Sequence, residues 1–202
     1  MACSGDVLMT LLSPAASRVI PRVVTKVATS AVMLLIVAGC ANQEDKMKDA
    51  FDELMKRPTI TAAAADYQSM FQTIRERLVS EVGVAEWIPD DKPNSSSACG
   101  GGISNLEGAE HRRYDAGWSP GNLPDAQWDH AVAIVTEVAR QHGFGAPKVI
   151  VSGPSDHEVS YRNTYNGELL FGTGANTILG GTTGCHLSDE AHQRGTYLPP
   201  KY

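Results

Sequence analysis

The spacing of apolar residues divides the chain into stretches of different period. Residues 27–37 (VATSAVMLLIV) are a nearly unbroken apolar run, well short of the roughly 20 residues that span a bilayer comfortably. Farther along, Tyr67, Phe71, Ile74, Leu78 and Val82 recur at intervals of three and four. This predicts an amphipathic helix over 61–82, capped by Thr61 and stopped by Gly83. A second helix is predicted from Trp128, Val132, Val135 and Val138, with Pro124 near its start and Gly143 ending it after His142. Asp125 and Asp129 in its first turns favour the helix dipole. Beyond residue 147 the period shortens. Segments 148–152, 158–165, 169–174 and 177–181 onward to 187 read as strands, with Asn166-Gly167 predicting a type I′ hairpin. Residues 111–118 read as a further strand, Arg113, Asp115 and Gly117 alternating with Arg112, Tyr114, Ala116 and Trp118. Residues 89–108 (PDDKPNSSSACGGGISNLEG) read as loop, and the tail from Gly195 as an extended end. Strands joined by short turns run antiparallel. The expected fold is therefore α+β in two layers, a meander sheet of about four to five strands packed against two main helices.

The first apolar run has the surroundings of an export signal. Arg18, Arg22 and Lys26 precede it, small Ala38 and Gly39 follow, and Cys40 comes next. Met9 is an alternative start that leaves the mature protein unchanged. Val37-Ala38-Gly39-Cys40 resembles the lipobox of bacterial lipoproteins, with Val where Leu is usual. That resemblance implies cleavage between Gly39 and Cys40, an S-diacylglycerol on the Cys40 thiol and an N-acyl group, such as palmitate, on its new amino terminus. A thiolate is the side chain nucleophilic enough to take such a lipid as a thioether. Several acyl chains anchor stably where one is marginal. The expected organisation is a cleaved signal over 1–39, a lipidated cysteine and charged tether over 40–58, and one domain over 59–202. Within the tether Met47, Phe51, Leu54 and Met55 fall at helical spacing, ending near Pro58.

Charge sharpens the address. The chain has 17 Lys and Arg against 23 Asp and Glu. Three of the basic residues (Arg18, Arg22, Lys26) and one acidic (Asp6) precede Cys40, which leaves a net −8 from Cys40 onward. Such a domain repels nucleic acid and anionic headgroups, so its expected hold on the membrane is the lipid on Cys40. Past Cys40 two cysteines remain, Cys99 and Cys185, each among glycines. An even pair in an exported protein favours a disulfide; free thiols, or a metal held by Cys185 with His186, are the alternatives.

Other candidate chemistry is weaker. Residues 172–184 (GTGANTILGGTTG) are glycine-rich but lack the Gly-Lys-Ser/Thr ending of a phosphate loop. Ser155-Asp156-His157 holds the residue types of a hydrolase triad, yet sequence neighbours point apart and no GxSxG elbow is present. His157, Glu158 and His186 are the best candidate metal ligands, without HxH or HxxxH spacing to support them. No catalytic residue, metal or cofactor is expected.

With WDHAVAIVTEVARQHGF (128–144) and ELLFGTGANTILGGTTGCHL (168–187) in view, the mature chain resembles the LppA-type lipoproteins of mycobacteria. The resemblance implies a cell-envelope location and a small α+β domain, and brings no catalytic residues with it. The expected function is a non-enzymatic binding or interaction module anchored on the extracytoplasmic face of the membrane. A carrier of a small apolar ligand or lipid is the alternative, and a hydrolase or metal enzyme comes third. An apolar cavity between helices and sheet would favour the carrier, a tight core with an exposed apolar patch the interaction module.

Overall fold

The computed structural model describes residues 43–88 and 95–199. The signal segment, Gly39 and Cys40 lie outside the described residues. The chain runs α1 (43–54), α2 (Ile60–Arg77), a π-helical turn (Leu78–Val82), β1 (Ser95–Ala98), a 3-10 turn (Gly101–Ile103) and β2 (Ala109–Pro120). Then follow α3 (Asp125–Gln141), β3 (Lys148–Gly153), β4 (Asp156–Arg162), β5 (Glu168–Thr173), β6 (Asn176–Thr182), β7 (His186–Leu187) and α4 (Asp189–Arg194).

The two predicted helices are present, with one change of cap. Thr59, not Thr61, opens α2: its hydroxyl accepts from the Ala62 amide at 3.3 Å. The helix starts earlier because Ile60 is a fully buried core residue. The Thr61 hydroxyl faces outward and donates to Asp189 of α4. Gly83 ends the run in the left-handed region, φ 81°. Helix α3 ends as expected, with Gly143 at φ 79°.

The α+β class holds, but among the described residues the sheet has seven strands, not four to five. Its order is β1-β2-β6-β5-β4-β3, with β7 pairing β2, and all pairs are antiparallel. The meander β3 to β6 is the expected one. The additions come from residues without an apolar period: β1 is SSSA, inside the stretch expected as loop. Strand β2 also exceeds its expected length. Between Asp115 and Trp118 it carries one more residue than β6 opposite, a bulge at Gly117, φ 81°. The bulge reverses the alternation. Tyr114 and Ala116 face the helices, whereas Trp118 pairs with exposed Ile178 and so lies on the other face.

The β4–β5 hairpin differs from the type I′ turn expected at Asn166-Gly167. Such a turn needs positive φ at both residues, and only Asn166 has it, at 62°. The loop spans five residues, 163–167, because Asn163 organises it: its Oδ1 accepts from the Tyr165 and Gly167 amides, and its Nδ2 donates to Tyr67. Gly167 is required by contact, since a Cβ there would lie 2.1 Å from the Tyr67 hydroxyl.

Helices α2 and α3 cover one face of the sheet and close the main core, which includes Met70, Ile74, Leu78, Val135, Tyr161 and Phe171. A second core gathers Met47, Phe51 and Leu54 of α1 with Cys99, Leu106, Ala109, Leu187 and Ala191. The helical part of the expected tether is thus docked on the domain. Its apolar stripe explains why: burying side chains of this size stabilises by about 1.5–3 kcal/mol each.

Candidate functional site

The residues singled out in the sequence go to different places. Cys99 and Cys185 form a disulfide, with Cα atoms 5.8 Å apart. It ties the loop after β1 to the entry of β7 beneath α1. His157 and His186 are not brought together. His157 lies in β4 opposite Thr173 and donates from Nε2 to Asp125 Oδ1 at 3.0 Å, while its ring stacks on Trp128 at 5.0 Å. Asp125 also accepts from the Ser155 amide at 2.9 Å, and these bonds hold its carboxyl below the usual range, the His157 bond most. The partner of His157 is therefore Asp125 at the start of α3, not the adjacent Asp156. This cluster pins α3 to the β3–β4 hairpin and includes no Ser hydroxyl in bonding position to His157. Periodicity gave no hint of that pairing, because the partners lie 32 positions apart.

His186 sits in β7, only 2% exposed. Its Nδ1–H donates to the Pro58 carbonyl at 2.8 Å, and Tyr165 meets its ring edge-on at 5.4 Å. Burial is the main reason its pKa lies below the usual histidine value. Among the described residues no three His, Cys, Asp or Glu side chains converge as a metal site. The glycine-rich 172–184 is strand and turn: a Cβ at Gly181 would lie 2.2 Å from the Glu168 carbonyl, and one at Gly184 1.8 Å from that of Tyr165. Its glycines serve close backbone approach, with no helix N-terminus directly after them.

Among the concavities of the described surface, two lie where the sequence or the open sheet face draws attention. The larger face is the side of the sheet that the helices leave open. There Trp118, Leu170 and Ile178, with Arg113, Asp115 and Glu168, line a trough of about 440 Å³ around Gly180. The second, about 380 Å³, lies by the disulfide between Leu54, Arg57, Ile103, His111 and Tyr165. Among the described residues no helix is long and apolar enough to cross a membrane.

A family model described as LppA, a lipoprotein confined to pathogenic Mycobacterium, matches residues 38–189. The chain belongs to the LppA family. The LppA match begins just before Cys40 and takes in both cysteines of the bridge. The crystal structure of the LppA lipoprotein of Mycobacterium tuberculosis shares the fold, with a TM-score of 0.63 at 19% identity, over 81% of this chain and 99% of that one. A DUF4853 family protein of Actinomyces odontolyticus gives a TM-score of 0.45 at 12% identity, over 72% of this chain and 78% of that one. No curated protein matches the chain.

Proposed function

We propose that this LppA-family chain is a non-enzymatic binding module of the cell envelope, lipid-anchored through Cys40 on the extracytoplasmic face. Family membership and the VAGC motif after a signal-like segment support the anchor. The observation that carries the binding role is where the open space lies. The interface between helices and sheet is filled by side chains such as Ile74, Val135, Tyr161 and Phe171, each exposed by 0%. Open space lies on the outer surface instead, and the apolar part of it is the trough around Trp118, Leu170 and Ile178, with Ile178 46% exposed. A carrier needs an enclosed apolar chamber, whereas an exposed apolar surface with charged neighbours suits association with another surface.

Palmitate labelling with detergent-phase partition checks the anchor. The native chain should take the label and enter the detergent phase, while Cys40→Ala does neither; a Cys40→Ala chain still retained by membranes overturns the anchor. Cross-linking on intact cells checks the face. A discrete adduct should form that Ile178→Asp abolishes at unchanged Tm, and an adduct indifferent to Ile178→Asp removes the trough from the reading.

A further inference from the structure

The pocket beside the disulfide has the makings of an oxyanion site. Its cation is Arg57, which follows α1 and is partly buried. The Arg57 side chain lies 5.4 Å over the Tyr165 ring and donates one hydrogen bond, from Nη1 to the Cys185 carbonyl at 3.0 Å. A guanidinium has five N–H donors in a planar fork, so most of this one remains unused among the described residues. It has no carboxylate partner there either. Glu53, four residues back and the natural helical mate, is taken by Lys56. This is notable against the acidic background: the chain has 23 Asp and Glu, and none lines this pocket. The other polar residues lining it are His111, Asn166, Thr182 and Thr183. Nearby His186 is kept neutral by burial, which leaves Arg57 as the fixed charge.

The pocket is also held in shape. Gly184 lets the Tyr165 backbone approach closely, which places the ring under Arg57, and the bridge fixes Cys185, whose carbonyl orients the guanidinium. Leu54 and Ile103 give the cavity an apolar wall.

We infer that this pocket binds a carboxylate or phosphate oxyanion carried on an apolar chain, the oxyanion on the Arg57 fork and the chain against Leu54 and Ile103. The proportions agree: about 380 Å³ takes more than a bare ion. Arg is suited to such groups because its fork meets two oxygens at once.

Titration calorimetry on the detergent-solubilised full chain, with a detergent blank, tests this with three probes: inorganic phosphate, hexanoate and dihexanoyl phosphatidylglycerol. One of the two apolar oxyanions should bind one to one, about tenfold or more tighter than inorganic phosphate. Preference for the phosphatidylglycerol assigns the site to a lipid headgroup, and preference for hexanoate to a free carboxylate. Arg57→Met should remove the binding. His111→Glu supplies the missing carboxylate from a partly exposed position, so it should block the site while the chain stays folded. No binding of either apolar probe, or binding unaltered in His111→Glu, overturns the inference. Neither result bears on the Cys40 anchor or on the open face, which are read by labelling and by Ile178→Asp.

Discussion

The two cores of this molecule are built in different ways. The main core draws on long regular elements: α2 and α3 present stripes at helical spacing, and β4, β5 and β6 present alternate residues to them. The helices bring several buried side chains each and the strands one or two, and most neighbours along the meander are joined by short turns. The second core draws one to three residues from each of several short pieces: α1, the loop after β1, the start of β2, β7 and α4. None of these pieces could bury enough surface alone. They are joined instead by the Cys99–Cys185 bridge, by Arg57 to Cys185, by His186 to Pro58 and by His192 to the Met55 carbonyl. Regular periodicity suffices for the first core, whereas covalent and polar ties hold the second. The second core is therefore expected to open as a local unit before the whole molecule unfolds.

The largest effect should come from the main core. Phe171 is fully buried and stacks on Trp128 at 5.1 Å. Phe171→Ala should cost about 3–5 kcal/mol, from lost transfer energy and the cavity left behind. Urea unfolding measures the loss, and amide exchange should rise throughout α2, α3 and the meander. If exchange rose only in the meander, the main core would not be one cooperative unit.

Removing the bridge comes next. Cys99→Ser with Cys185→Ser opens a link between residues 86 apart, for which a loss of about 2–5 kcal/mol is expected. The distribution matters more than the size. Exchange should accelerate in α1, β7 and α4 while α2 and α3 keep their protection. Equal acceleration everywhere would merge the two cores into one and defeat the comparison.

The same contrast explains what could be read from the sequence. Helices α2 and α3 and the meander were legible because Tyr67, Phe71 and Ile74, or Leu169 and Phe171, repeat at the period of their own element. Strand β1 was not, since Ser95, Ser96 and Ser97 are exposed and pair only because β2 offers its edge. The docking of α1 was half legible: Met47, Phe51 and Leu54 announced a stripe, but its receiving surface is assembled from Leu106, Leu187 and Ala191, which share no pattern. Cys99 and Cys185 were readable as a pair from count and context. The Arg57 pocket was not readable at all. An arginine after a charged helix looks like a solvated charge until the fold shows that its helical mate is occupied and that the surrounding wall lacks carboxylates.

Acid provides the smallest and most selective test. His186 is buried in the region that links the two cores, against the Pro58 carbonyl and the Tyr165 ring, with Arg57 nearby. Burial chiefly lowers its pKa below 6.5, and Arg57 lowers it further, while the bond to Pro58 opposes the shift. The unfolded chain therefore binds this proton more readily than the folded one. The stability contributed by neutral His186 is complete above about pH 6.5 and declines as pH falls below it toward the lowered folded value. Urea midpoints of the native chain and His186→Gln, compared at pH 7.5 and 5.5, isolate this contribution from the other histidines. The native chain should lose more stability over that interval than His186→Gln, and its α1 amides should exchange faster at pH 5.5 before those of α2 do, after correction for intrinsic rates. An equal loss in both chains would mean that burial of His186 does not set the acid response. The second core would then owe its lower stability to the small surface it buries, not to a neutral histidine held beneath it.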